Sequence, residues 1–324
     1  MRILNIDMKK WFKEAQFGMM IHFGLYSLLG GEYKGKVMPH IAEWAQAYFR
    51  IPNNEYHQLA KAFNPIYFDA EEWVKTAKNA GMEYFVITSK HHEGFALFKS
   101  YADKFNVVDA TPFGRDIIGE VAEACCKHNM KLGLYYSQAL DWAHPHALGW
   151  MEEFGLNCDC MTWGNTWDYP DHSKKDYSIC YEEKIKPQVK EILTNYGDLC
   201  LIWFDTPMGI PEKYSKELYD MVKHSQPDCL INSRLGNGIC DYESAADNEI
   251  PDDNKGDLLF ETPATLNDTW GYKATDQNWK PAEEIIKIKN HLNRRGINYL
   301  LNVGPDGLGR FPAKATEILQ EIGK

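Results

Sequence analysis

A short apolar run that ends in a carboxylate, Cys200–Asp205 (CLIWFD), constrains the fold of this chain most strongly. Pro207 follows almost at once, and an apolar run bounded by a strand breaker is typical of a buried strand in a parallel sheet. Barrel enzymes carry catalytic side chains at the carboxyl ends of such strands. We therefore interpret Asp205 as a candidate nucleophile, the alternative being an Asp that caps the following turn.

Similar runs alternate with helical stretches along the whole chain. Strands are predicted at 18–24, 84–90, 131–137, 199–205, 229–234 and 299–303, with weaker signals at 241–242 and 258–261. Helices are predicted at 69–81, 115–129, 177–196, 212–224, 283–295 and 312–322. About eight strands in such alternation favour an α/β fold, a (β/α)8-like TIM barrel that need not be regular, over an open doubly wound sheet. We expect a single catalytic barrel domain over residues 1–324.

Composition narrows the class of partner. The net charge of −11, without a long basic run, argues against nucleic acid and anionic membranes. The amino terminus has no apolar stretch of signal-peptide length, so a cytoplasmic protein is expected, unless a signal has already been removed. Neither GxGxxG nor GxxxxGK[ST] follows a strand, which argues against a nucleotide cofactor. Cys158 and Cys160 lie in a Trp-rich loop but lack a second zinc-ligand pair.

Polar side chains gather where the predicted strands end. They are His22, His91, His92, Tyr135, Asp205 and Arg234. In a barrel these ends share one face. A catalytic metal is one interpretation, although neighbouring strand residues such as His91 and His92 should point to opposite faces. A sugar pocket is the other, and the ten Trp and 18 Tyr residues favour it.

The motif Lys90–Phe95 (KHHEGF) resembles the signature of the α-L-fucosidases of glycoside hydrolase family 29. Further segments match the family in the same order, from near residue 11 to near residue 312. They lie at 17–24, 43–44, 134–137, 141–142, 203–205, 269–272 and 301–305. The resemblance thus covers nearly the whole chain, and we expect these 324 residues not to include the carboxyl-terminal β-sandwich that is frequent in the family.

The resemblance implies a retaining exo-glycosidase that removes terminal α-L-fucose from fucosylated oligosaccharides or glycoconjugates. Asp205 would form the covalent glycosyl-enzyme, and neither a metal nor an organic cofactor would be needed. The residues that would bind the sugar are His22, Glu43, Trp44, His91, His92, Tyr135, Trp203, Arg234 and Trp270.

The second carboxyl group, the acid/base, departs from the family pattern. The family motif places Ala246 where a Glu is expected, and alanine has no proton to give. The chain could be a deliberate Glu→Ala variant that holds substrate unhydrolysed. Alternatively, Glu249, or else Asp247 or Glu243, could take the position. Finally, Glu261 matches another family Glu and could supply the acid.

Three other functions stay open at this point. A fucose-binding protein without turnover would fit the missing Glu. A glycosidase for a related sugar, such as an α-L-galactosidase, would differ only at the C5 substituent. A metal-dependent barrel hydrolase would need a bound ion. Linkage preference is expected to depend on loops such as 150–169.

Overall fold

Eight parallel strands form the centre of the fold. The computed structural model describes residues 7–148, 163–253 and 255–324. In chain order the strands are β1 (Phe17–Ile21), β2 (Tyr84–Lys90), β3 (Lys131–Ser137), β4 (Leu201–Asp205), β5 (Leu230–Ile231), β6 (Glu243–Ser244), β7 (Phe260–Thr265) and β8 (Ile297–Val303). Their order in the sheet is β5-β4-β3-β2-β1-β8-β7-β6. A parallel bridge between Asn232 and Tyr242 links the two edge strands, so the sheet has the predicted TIM-barrel-like arrangement.

Helices follow six of the eight strands. They are Ala70–Asn79 after β1, Ile117–Lys127 after β2, Lys186–Asn195 after β3, Glu212–Ser225 after β4, Ala282–Asn293 after β7 and Ala313–Ile322 after β8. Only the 3₁₀ turn Ser233–Leu235 separates β5 from β6, and within the described residues no helix lies between β6 and β7. The barrel is therefore irregular on the side of β5, β6 and β7.

Smaller elements fill the connections. Short α-helices lie at Met8–Ala15, Tyr26–Leu29, Ala45–Phe49, Asn53–Tyr56, Val107–Ala110 and Tyr177–Cys180. The 3₁₀ helices Ala42–Trp44, His57–Ala62 and His172–Lys174, a π turn at Tyr181–Ile185 and a hairpin of Glu32–Tyr33 with Lys36–Val37 complete them. Among the described residues no helix is long and apolar enough to cross a membrane.

Strand periodicity separates an inner core from an outer one. Met20 and Trp203 belong to a cluster inside the barrel, whereas Met19, Ile202 and Phe204 pack in the larger core that includes the helices. Both sets are apolar because strands covered on two faces bury every side chain. This alternation aims Trp203 inward, toward the end of the barrel where the site lies.

Most predicted elements are confirmed, but β1 ends at Ile21 rather than at 24, and the weaker strand predicted at 241–242 is found at Glu243–Ser244. Strands β2 and β3 have the predicted bounds. The predicted strand 229–234 is wrong beyond Ile231, because the Asn232 side chain bonds the N–H and the carbonyl of Phe204, both at 2.9 Å, and a turn follows. The predicted helix 177–196 is interrupted by the π turn Tyr181–Ile185.

Candidate active site

A cavity of about 470 Å³ opens at the carboxyl ends of the barrel strands. All nine predicted sugar-binding residues and Asp205 line it. The full lining consists of His22, Ile41, Glu43, Trp44, His91, His92, Tyr135, Trp163, Trp203, Asp205, Thr206, Pro207, Met208, Arg234, Asp247 and Trp270. The cavity has the size and the mixture of apolar walls and few polar groups that small-molecule sites show.

Asp205 ends β4 and is held at both carboxylate oxygens. Its Oδ2 accepts a hydrogen bond from the Tyr135 hydroxyl at 2.8 Å, and its Oδ1 accepts one from Arg234 Nη1 at 3.1 Å. Its backbone N–H donates to Gln138 Oε1 at 2.8 Å. Thr206 then adopts a left-handed backbone conformation, with φ 54°, which is uncommon for a β-branched residue. These restraints orient the carboxylate toward the cavity.

Arg234 joins two carboxylates across the cavity. Its Nη1 reaches Asp205, and its Nη2 reaches Asp247 Oδ1 at 2.5 Å and the Ala245 carbonyl at 2.9 Å. Its guanidinium also lies 4.6 Å from the Trp203 ring centroid. Burial disfavours the charged guanidinium, but the two aspartates outweigh burial and hold the pKa of Arg234 above its usual range. Arg234 is therefore a fixed cation between two carboxylates.

The paired histidines face the same cavity. Strand β2 ends at Lys90, so His91 and His92 lie in the following turn, and their ring centroids are 3.9 Å apart. The expectation that they point to opposite faces is wrong, because strand alternation no longer applies to them. Gly94 completes the turn with φ 81°, and a Cβ there would lie 2.3 Å from Asp141 Oδ1.

Hydrogen bonds set the tautomers of two imidazoles. The Ser137 hydroxyl donates to the Leu140 carbonyl, so it accepts from His92 Nδ1, 2.7 Å away. Likewise the Asn302 amide donates to the Trp270 carbonyl, and its oxygen accepts from His22 Nδ1 at 2.7 Å. In neutral rings this leaves both Nε2 atoms as acceptors. Such acceptors suit the hydroxyl groups of a sugar.

Burial keeps these imidazoles neutral. It lowers the pKa of His22 to about 4, although the bond to Asn302 opposes the shift. Burial likewise holds the pKa values of His91 and His92 well below the usual range. Since neutral imidazoles exchange hydrogen bonds with hydroxyls without a charge, this wall of the cavity suits an uncharged ligand.

Aromatic rings and one glutamate complete the cavity. Trp44 and Trp163 meet edge to face at 5.2 Å, and the Trp270 ring lies 5.2 Å from His22. Glu43 Oε2 accepts the N–H of Gly271 at 2.8 Å, and burial raises the pKa of Glu43 to about 7. The apolar rings can cover C–H surfaces while Glu43 binds a hydroxyl.

The structure separates the acid/base candidates. Ala246 and Glu249 are exposed and bonded to each other, with the Ala246 N–H donating to Glu249 Oε2 at 3.0 Å; neither lines the cavity. Glu261 is fully buried beneath it and accepts from Tyr84 at 2.7 Å and Trp203 Nε1 at 2.9 Å. Burial raises the pKa of Glu261 to about 7. Of the candidates, only Asp247 lines the cavity.

From the sequence, Asp247 was a less favoured acid/base candidate than Glu249. The rim of the cavity formed by Ile41, Trp163 and residues 206–208 was not predicted. Loop residues show no hydrophobic periodicity, so the sequence could not predict which of their side chains point into the cavity. The one available signal was the Thr–Pro pair directly after Asp205. Residues 149–162, which include Cys158 and Cys160, lie outside the described residues. Within 7–148, 163–253 and 255–324, no group of three or more His, Cys, Asp or Glu residues has a metal-binding arrangement.

The family model and the similar proteins described next all belong to one family. The family model described as Alpha-L-fucosidase matches residues 3–324. The chain is 53% identical to Alpha-L-fucosidase AlfC from Lactobacillus casei, solved with its α-L-fucose product, over 98% of this chain and 97% of that one, with a TM-score of 0.94. The structure of the Vibrio sp. strain EJY3 enzyme gives 36% identity and a TM-score of 0.90, covering 99% of this chain and 55% of that one.

Curated relatives extend beyond this chain. Tissue alpha-L-fucosidase of Rattus norvegicus is 28% identical over 97% of this chain. The chain spans about two thirds of the length of such relatives, 67% of the rat protein and 65% of one from Caenorhabditis elegans.

Proposed function

This chain belongs to the alpha-L-fucosidase family, and we propose that it hydrolyses terminal α-L-fucosides with retention of configuration. The observation that carries the mechanism is the Arg234 guanidinium, which bonds Asp205 on one side of the cavity and Asp247 on the other. Retaining glycosidases use two carboxyl groups about 5–5.5 Å apart, one as nucleophile and one as acid/base. One guanidinium between two carboxylates holds such a pair at short range.

Asp205 is the proposed nucleophile. Tyr135 and Arg234 leave its carboxylate fixed at the end of β4, so it can attack the anomeric carbon without reorganising. The attack forms a bond from a carboxylate oxygen to C1 and releases the aglycone oxygen. Water then cleaves the glycosyl-enzyme at C1 and restores the carboxylate.

Asp247 is the proposed acid/base. It lines the cavity and is about half exposed, so the water of the second step can reach it. In the first step it protonates the leaving oxygen, and in the second it takes the proton of the attacking water. In this assignment the neighbouring aspartate takes the role that a Glu at 246 would have had. The site therefore lacks no acid.

The neutral imidazoles and the tryptophan walls match a deoxyhexose. Hydroxyl groups can donate to Nε2 of His22 and His92, while Trp44, Trp203 and Trp270 offer surface to C–H groups and to the C5 methyl. A variant of AlfC has been solved with Fucα(1,6)GlcNAc. We extend this to the present chain and propose α1,6-linked fucosyl-GlcNAc as a substrate.

Leaving-group dependence tests the proposal. Asp247→Asn should lower kcat/KM for Fucα(1,6)GlcNAc by about 10²–10⁴-fold but have much less effect on kcat/KM for 4-nitrophenyl α-L-fucoside, whose leaving group needs little protonation. Asp205→Asn should abolish turnover of both. Azide added to Asp247→Asn should accelerate the aryl substrate and give the fucosyl azide of retained configuration. Equal losses on both substrates in Asp247→Asn would reject its acid/base role.

A further inference from the structure

A second, polar groove adjoins the catalytic cavity. The side groove, as we name it, has a volume of about 760 Å³ and is formed by residues 39–41, 268, 273 and 275–278. Ile41 lines both the side groove and the catalytic cavity. The two therefore share a wall, and a ligand that extends past Ile41 enters the groove.

The walls of the groove continue the walls of the cavity along the chain. Residues 39–41 are separated from Glu43 and Trp44 by Ala42 alone, and the segment 268–278 contains Trp270. Asn248, next to Asp247, accepts from the N–H of Thr265 at 2.9 Å. The loop that carries the proposed acid/base is thus tied to the end of β7, from which the groove segment runs.

The groove is shaped before any ligand binds. Lys273 Nζ donates to the His40 carbonyl at 2.9 Å and so joins the two walls. The buried Asp276 carboxylate accepts from the N–H groups of Asp268 at 2.9 Å and Asn278 at 3.0 Å. A preformed wall loses little conformational entropy on binding, which favours specific recognition of an extended ligand.

Its chemistry suits hydroxyl groups. Lys273 uses one of its three ammonium donors on His40, so two can serve a ligand. The exposed Gln277 amide donates one N–H to the Ala274 carbonyl and keeps a second, and the Asp268 carboxylate, which accepts from Asn278, keeps further lone pairs. Two carboxylates against one lysine disfavour phosphate or another anion, and the polar lining disfavours an apolar peptide. A neutral pyranose matches this mixture.

We propose that the side groove binds neutral sugar residues of the aglycone beyond the residue that carries the fucose. The proposal rests on the proposed α-L-fucosidase activity and deepens it, because it assigns fucosylated oligosaccharides, rather than disaccharides, as the substrates the site is built for. Lys273 and Gln277 would be specificity-determining residues that touch neither the fucose nor the bond that breaks.

Three substrates and three variants test this. The substrates are 4-nitrophenyl α-L-fucoside, Fucα(1,6)GlcNAc, and a neutral oligosaccharide carrying the same fucosyl-GlcNAc unit with at least two further sugars. The variants are Lys273→Met, Gln277→Ala and, as a control, Lys314→Met, a surface lysine paired with Glu317 on the last helix. Circular dichroism melts check folding, and Gln277→Ala serves if Lys273→Met proves unstable.

We expect wild-type kcat/KM to be highest for the oligosaccharide. Lys273→Met and Gln277→Ala should each lower kcat/KM for the oligosaccharide three- to twentyfold, through a higher KM. They should change kcat/KM for the two smaller substrates by less than twofold. Lys314→Met should leave kcat/KM unchanged for all three substrates. The groove proposal is overturned if wild type shows no preference for the oligosaccharide, or if both variants lower all three substrates equally. Absence of wild-type turnover on every fucoside would instead contradict the proposed function.

Discussion

The carboxylates of Asp205 and Asp247 share one guanidinium, which Arg234 directs with Nη1 to the first and Nη2 to the second. The two acids come from different strand ends, β4 and the loop after β6, so their separation depends on a residue that follows β5. β5 ends at Ile231, and Arg234 lies in the 3₁₀ turn Ser233–Leu235 that follows it.

Arg234→Lys should therefore damage catalysis although charge is kept. An ammonium is a single point and cannot replace a planar fork that meets two carboxylates and lies over Trp203. We expect kcat/KM on 4-nitrophenyl α-L-fucoside to fall by about 10²-fold, a barrier increase of roughly 2.7 kcal/mol. Arg115→Lys, which alters a surface ion pair with Glu120, is the control and should leave kcat/KM unchanged. Retention of more than half of the activity in Arg234→Lys would contradict the bridging role.

The loop after β6 gives a second prediction. Ala246 and Glu249 lie outside the cavity, so Ala246→Glu and Glu249→Gln should change kcat/KM on Fucα(1,6)GlcNAc by no more than about twofold, as surface substitutions do. Glu261→Gln should weaken the support of Trp203 and lower turnover equally for good and poor leaving groups. A gain of orders of magnitude in Ala246→Glu would place the acid/base at 246.

Much of this site could be predicted because buried strands appear in the sequence as apolar runs that end at polar, Gly or Pro residues. The bounds of β2 and β3 follow from their continuous apolar runs, whereas the place of Trp203 in the site was implied by the family resemblance. The loop after β6 has no such run. The stretch 241–249, which includes β6, holds four carboxylates, and which of them turns inward is decided by the contact of Asp247 with Arg234, which is distant in sequence.

A buried ion network behind the histidine turn should dominate local stability. Lys184 Nζ lies 2.9 Å from Asp141 Oδ2 and donates to the Gly94 carbonyl at 3.0 Å, and Lys90 bonds the same Asp141 oxygen at 2.9 Å. Burial disfavours the Asp141 carboxylate, but the two lysines outweigh it and hold its pKa below the usual range. The network fixes the turn that carries His91 and His92.

Lys184 also pairs with Asp103, 2.6 Å away, so removing Lys184 leaves the carboxylates of Asp141 and Asp103 with Lys90 as the one lysine of this network. Lys184→Met should lower the free energy of unfolding by about 3–5 kcal/mol, measured by urea titration. Lys186→Met, two residues along and paired at the surface with Glu182 and Glu217, should cost less than about 1 kcal/mol. Similar losses in the two variants would show that the network contributes no more than a surface pair.

Glu93 links stability to pH. It is buried, accepts from the Leu25 N–H at 3.0 Å and is hydrogen-bonded by Tyr56, and burial raises its pKa from 4.5 to about 8. The folded state therefore binds a proton more tightly than the unfolded state. The contribution of this group is fully present below pH 4.5 and is lost as pH rises through 8. Between these two values, each rise of one pH unit lowers the free energy of unfolding by at most about 1.4 kcal/mol.

Glu93→Gln mimics the protonated form and removes this dependence. Urea titrations at pH 6 and pH 8.5 should show that the wild-type free energy of unfolding falls by about 2–3 kcal/mol more than that of the variant. Glu123→Gln, on the exposed face of helix Ile117–Lys127, serves as the control and should keep the wild-type slope. A variant that loses stability with pH as steeply as wild type would mean that Glu93 is already ionised in the folded protein at pH 6.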